Sequence, residues 1–224
     1  MTYEITFACI GFLIFGIIMS YVANGLLLRF SQSLGIRNRN DVTVRWANES
    51  KPSLGGIGFF VAFFFGTVAY SVIFNNENLF QNRQFVGLLT AGTLCFIMGL
   101  ADDAYNTRPY FKLFVQILCG SIFVYTHTVI ELTGIGWVNG LITVVWVVGI
   151  MNSLNMLDNM DGITGTTSLF ILISCLASNI ILFDWNMNIW TLTLLIQIGA
   201  IIGFFVTYVG LHHFIVTLAA MVIA

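Results

Sequence analysis

Apolar runs of about one bilayer thickness recur along nearly all of the 224 residues, and no other feature restricts the possible folds so strongly. A helical crossing of the hydrocarbon core needs roughly 20 apolar residues. Runs of that order lie at about 5–28, 56–74, 84–101, 111–129, 134–151, 167–183 and 189–209, and a shorter one spans Leu211 to Ala224. With 58% hydrophobic and only 8% charged residues, the chain carries more apolar surface than one soluble core could hide. Unsatisfied backbone is prohibitively costly in lipid, so each run is expected to be a helix. The sequence therefore predicts an all-α, polytopic transmembrane helix bundle. About seven spans and a short apolar C-terminal segment would form a single integral-membrane domain over 1–224.

Several alternatives drop out. The net charge of -2 and the lack of a broad basic face argue against a nucleic-acid partner. Cys9, Cys95, Cys119 and Cys175 lie in apolar runs without CxxC or Cys/His spacing, so neither a disulfide framework nor a zinc site is expected. The first apolar run has no basic residue before it and no small-residue cleavage site before Arg29, and reads as a retained first span. Seven of the eight basic residues fall in odd-numbered loops: Arg29, Arg37, Arg39, Arg45 and Lys51 in the first, Arg108 and Lys112 in the third. By the positive-inside rule those loops are cytoplasmic and the N-terminus is outside.

Four of the ten acids are concentrated in two places, Asp102-Asp103 and the pair Asp158 and Asp161. A carboxylate at mid-bilayer costs roughly 2.5–3.5 kcal/mol on insertion scales, so such acids belong at span ends, in polar cavities or at functional sites. The third loop is expected to begin at Gly99-Leu-Ala-Asp-Asp-Ala104. Adjacent carboxylates repel, and a divalent cation would relieve both. Mg²⁺ is typically held by one or two carboxylates plus substrate phosphates and water.

In the fifth loop, placed at 152–166, Asn152, Asn155, Asp158 and Asp161 recur every three residues, which in a helix gathers them along one face before Gly162. Such a stripe of amides and carboxylates suits a polar ligand such as a nucleotide base or ribose. The first loop ends in Lys51-Pro-Ser-Leu-Gly-Gly56, where Ser53 is a candidate phosphate donor and the glycines permit close backbone approach. Lys51 alone reads as a snorkelling anchor, and the glycines alone as helix-packing residues. Three polar loops would then meet at one membrane face.

Together, Lys51-Pro-Ser-Leu-Gly-Gly56, Leu100-Ala-Asp-Asp103 followed by Lys112 and Gln116, and Asn152-x-x-Asn155-x-x-Asp158-x-x-Asp161-Gly162 resemble the polyprenyl-phosphate N-acetylhexosamine-1-phosphate transferases. The resemblance covers roughly residues 1–205. It implies a Mg²⁺-dependent phosphoglycosyl transferase, with Mn²⁺ as a possible substitute, that moves a sugar 1-phosphate from a UDP-sugar to a polyprenyl phosphate and so initiates a cell-envelope glycan. It also implies a multi-pass protein of a bacterial-type cytoplasmic membrane with its active-site loops in the cytoplasm, and is compatible with a homodimer. By motif, Asp102 and Asp103 would be catalytic and would serve the metal, one of them positioning or deprotonating the lipid phosphate. Lys51 and Lys112 would contact phosphate. Ser53, Asn152, Asn155, Asp158 and Asp161 would bind substrate, Asn155 and Asp158 contacting the uridine and Asp161 supporting the polar site.

The family continues through further spans carrying another metal-site Asp, in a Met-Gly-Asp-type motif, and a His-containing loop that helps choose the sugar. Neither is found in these 224 residues, and His212-His213 follow the seventh span too directly to take that role. The chain is thus expected to be incomplete at its C-terminus relative to the family. Met221-Val-Ile-Ala224 would become Met-Gly-Asp-Ser on restoring one base in the codon register ATG GTG ATA GC, so a frameshift after about Phe205 is one expectation, testable by reading the gene. Two other readings stand beside an active transferase. One is a truncated, inactive remnant; the other is a cation-coupled transporter, which would want its acids near the bilayer midplane.

Overall fold

The computed structural model describes residues 2–33, 55–74, 79–105, 107–157, 163–183 and 188–209, and among them it is all-helical. Seven α-helices follow in order: α1 (Thr2–Ser33), α2 (Gly55–Ile73), α3 (Arg83–Tyr105), α4 (Pro109–Tyr125), α5 (Gly136–Leu157), α6 (Ile163–Phe183) and α7 (Ile189–Phe204). Six are long and apolar enough to cross a membrane, α4 being the shorter seventh. The polytopic helical bundle expected from the apolar runs is therefore the fold. Two compact units make it up, Met1–Tyr70 with Gly165–Ala224, and Ser71–Thr164.

In the first unit, α1 shows how a membrane helix reverses the soluble pattern. Its buried positions are Cys9, Phe12, Gly16, Ser20 and Asn24, spaced three or four residues apart, while Phe7, Ile10, Ile14 and Ile18 are exposed. Lipid tails are as apolar as leucine, so small and polar residues mark the interface rather than large hydrophobic ones. Against this stripe lies α7, where a side chain at Gly199 would run into the Leu13 carbonyl and one at Gly203 into the Ile17 carbonyl. That close approach lets the Ser20 hydroxyl donate to the Ala200 carbonyl at 2.7 Å, and the Asn24 amide donate to Ser20 Oγ at 3.1 Å. Asn24 itself packs over the bare Cα of Gly58 in α2. Leu169 of α6 joins Ile198, Ile201 and Phe205 to complete the apolar core.

The second unit is an α3, α4, α5 assembly around Ala91, Val115 and Cys119, with Met98, Phe123, Val147 and Met151 packed on them. Asn82 starts α3 by accepting the Phe85 N–H at 3.1 Å. Pro109, whose missing N–H costs nothing at a first helical position, starts α4. After α4 the chain turns through His127 at φ 60, and the Thr128 N–H returns to the Phe123 carbonyl at 2.8 Å, a helix ending usually built with glycine. Asn139, nearly buried, accepts from both the Thr133 N–H and hydroxyl and donates to the Thr133 carbonyl, tying the connection to the first turn of α5.

Three helix ends in the second unit differ from the sequence reading. Helix α3 continues through Asp102 and Asp103 to Tyr105, and α5 through Asn152 and Asn155 to Leu157. Hydropathy marks where lipid-compatible sequence ends, whereas a helix continues until a breaker or cap stops it, and neither stretch contains Gly or Pro. The fourth helix also stops earlier than expected, at Tyr125, because the His127 turn closes it.

The close α1 and α7 contact makes a specific demand. Gly199→Ala should destabilise the protein by about 1–3 kcal/mol, because the new methyl meets backbone that cannot rotate away. Gly92→Ala, with open space around its Cα, should be neutral or mildly stabilising. Thermal unfolding of the two variants in detergent checks the contrast.

Candidate active site

The face that α3 turns to α4 carries Ala91, Cys95 and Met98 in the core, and the same spacing next reaches Asp102. On α4 the corresponding stripe runs from Cys119 back through Gln116 to Lys112. The apolar seam between the helices therefore ends in polar side chains where α3 and α5 finish and α4 begins.

Asp102 is held at both oxygens. Its Oδ2 accepts from Lys112 Nζ at 2.6 Å, and its Oδ1 accepts from the Thr107 N–H at 3.1 Å and hydroxyl at 2.8 Å. The Lys112 and Asp102 side chains keep 27% and 26% of their surface exposed, so the pair is close but open to solvent or ligand from one side. Thr107 sits in the short connection between α3 and α4, and its two bonds fix the path from one helix to the next. Arg108, directly before Pro109, has the extended backbone that proline requires of its predecessor.

One turn along α4, Gln116 is only 5% exposed and exchanges hydrogen bonds with Asn152 of α5. Gln116 Nε2 donates to Asn152 Oδ1 at 3.2 Å, and Asn152 Nδ2 donates back to Gln116 Oε1 at 2.9 Å. Asn152 Nδ2 also donates to the Val148 carbonyl at 2.9 Å. Asn155 is exposed and makes no side-chain hydrogen bond among the described residues. A polar layer thus crosses three helices in the order Asp102, Lys112, Gln116, Asn152.

Of the residues singled out in the sequence, Asp102, Asp103, Lys112, Asn152 and Asn155 fall on this one unit. Lys51, Ser53, Asp158 and Asp161 lie outside the described residues. Thr107 was missed, and Gln116, noted only as part of a motif, gains a partner. The four-residue spacing from Lys112 to Gln116 was the available signal, since it puts both on one helical face.

As donors for a divalent cation, Asp102 and Asp103 are successive residues on a regular helix, so their side chains leave it about 100° apart. Asp103 is exposed, while both Asp102 oxygens already accept protein hydrogen bonds. Among the described residues no three His, Cys, Asp or Glu side chains gather at one point. Such a donor set fits a cation that takes one or two protein carboxylates and completes its shell with phosphate oxygens and water.

Among the described residues, an acid, a lysine and two amides are thus joined where α3 and α5 end and α4 begins. Sequence comparison is more specific: the chain belongs to glycosyl transferase family 4, whose signature matches residues 85–208, more than half its length. That stretch contains the whole polar layer. The chain is also similar to proteins named phospho-N-acetylmuramoyl-pentapeptide-transferase from Streptococcus agalactiae serotype Ia and serotype III. Identity is 25% over 190 residues in each case, covering 77% of this chain and 56% of theirs. The chain thus spans little more than half the length of the curated relatives it matches. No solved structure matches it significantly.

The Asp102 contacts give graded stability effects. Thr107→Val loses the hydroxyl bond but keeps the N–H bond, at a cost of about 1 kcal/mol. Lys112→Met removes the charge-assisted bond from a partly exposed carboxylate that keeps its Thr107 bonds, and should cost about 1–2 kcal/mol. Combining Lys112→Met with Asp102→Asn should cost less than the sum of the two single changes, because the partners are in direct contact. Thermal unfolding of the four variants tests this, with additive losses counting against the pair.

Proposed function

We propose that this protein transfers a sugar 1-phosphate, in the form of N-acetylhexosamine 1-phosphate, from a UDP-sugar to a polyprenyl phosphate. The reaction takes place at the cytoplasmic face of a bacterial-type cytoplasmic membrane, as a first step of cell-envelope glycan synthesis. One observation carries the reading: Asp102 and Lys112, each placed by a family motif, meet at 2.6 Å at the end of a membrane helix assembly. Family membership and the names of the relatives support it.

The chemistry asks for little covalent help. An oxygen of the lipid phosphate bonds to the β-phosphorus of the UDP-sugar, the bond from that phosphorus to the oxygen bridging to the α-phosphate breaks, and UMP leaves with that oxygen. Positioning and charge neutralisation supply most of the catalysis in such transfers. Lys112 has three ammonium hydrogens and gives one to Asp102, so two remain to meet a phosphate without breaking the pair. Thr107 and Lys112 together hold Asp102 ionised and oriented. Asp103, one residue further along the exposed end of α3, is the second carboxylate. Asp102 and Asp103 would hold Mg²⁺, which when bound neutralises phosphate charge as it develops. Asn155 offers an exposed amide to the nucleotide, with Asp158 and Asp161 following at the same three-residue interval.

The test is UMP release from UDP-N-acetylglucosamine by membranes containing the chain and supplied with polyprenyl phosphate. Release should need a divalent cation, stop on chelation, and return with Mg²⁺ or Mn²⁺. Asp102→Asn and Asp103→Asn should each lower the rate by at least about 100-fold. Absence of release, or release indifferent to the cation and to both substitutions, would overturn the proposal.

A further inference from the structure

We infer that Gln116 and Asn152 form a positioning pair that sets how α5 presents Asn155 to the nucleotide, and that Asn152 gives no amide hydrogen to the ligand. The inference rests on the nucleotide-sugar reading above and assigns the members of the polar stripe different tasks.

Counting hydrogens separates the two asparagines. An amide nitrogen has two hydrogens to give. Those of Asn152 go to Gln116 Oε1 and to the Val148 carbonyl, both at 2.9 Å, so its donors are fully used inside the protein. Its oxygen already accepts from Gln116 Nε2. Asn155 is exposed, as Asn152 is, but its amide has no such commitments among the described residues. Both residues fit the same three-residue sequence interval and both are exposed, yet only Asn155 has amide hydrogens left to offer.

Burial explains why the pair can set geometry. Gln116 is 5% exposed, between Val115 and the fully buried Cys119. An amide left unpaired in such surroundings costs a large part of its hydration, so the two-bond exchange with Asn152 is strongly preferred to any arrangement that breaks it. A shift of α5 by one residue relative to α4 would turn its side chains by about 100° and lose both bonds. The pair therefore fixes the rotation of α5. Because Gln116 lies one turn from Lys112 on the same helix, it also ties the Asn155 face to the helix that supplies the cation partner of Asp102.

The experiment measures binding of UDP-N-acetylglucosamine with Mg²⁺ to the full chain in lipid nanodiscs, alongside thermal stability of each variant. Gln116→Leu and Asn152→Leu should each weaken binding about tenfold, and the double variant should be no weaker than either single one. The exchanged pair, Gln116→Asn with Asn152→Gln, should recover binding to within about threefold because it restores two facing amides. Asn155→Leu should weaken binding in a way the exchange does not repair. Losses that multiply in the double variant, or an Asn152→Leu chain that binds normally, would overturn this inference while leaving the nucleotide-sugar reading intact. Absence of binding by the unaltered chain would overturn both.

Discussion

Within a hydrocarbon slab no water is available to satisfy a polar group, so every such group must find its partner in the protein. The rotations of α1 against α7 and of α4 against α5 follow from that requirement. Ser20 reaches the Ala200 carbonyl and Asn24 reaches Ser20, which aligns α1 with α7. Gln116 and Asn152 align α4 with α5, and Asn139 with Thr133 closes the opposite end of the same unit. Large apolar side chains cannot supply this information, because a leucine facing lipid is about as comfortable as a leucine facing another helix. Glycine then decides how closely the polar contacts can be approached, as Gly199 and Gly203 do for Ser20.

The same physics determines what could be read in advance. The seven apolar helices were legible because a crossing length is a property of composition alone. Their inner faces were not, since the buried side of α1 carries Gly16, Ser20 and Asn24 beside Cys9 and Phe12 while Phe7, Ile10 and Ile14 are exposed, largely the reverse of a soluble helix. Helix ends were legible only to the edge of the apolar run, and so Asp102 and Asn152 were expected in loops when they close α3 and α5 as helical residues. The chemistry-bearing residue types stood out because charge is scarce. Their pairing did not: nothing in the sequence marks that Lys112 meets Asp102, or that Gln116 and not a ligand takes up the Asn152 amide. Contacts between helices are decided by packing, which one strand of letters does not display.

The charge placement has an electrostatic cost that clarifies its purpose. Acids at a helix C-terminus and cations at an N-terminus both oppose the helix dipole. Asp102 and Asp103 lie in the last turn of α3, which has no basic residue to offset them, and Lys112 lies near the start of α4, which has no acid in its first turn. Neither placement is favourable within its own helix. The 2.6 Å contact lets each charge relieve the other's misplacement. The negative end of α3 with its acids is a natural seat for a cation, and the positive end of α4 with Lys112 is a natural seat for a phosphate. The short connection between α3 and α4 sets these two ends side by side whatever the function. A bundle that must bring a metal ion and a diphosphate together would gain from that juxtaposition.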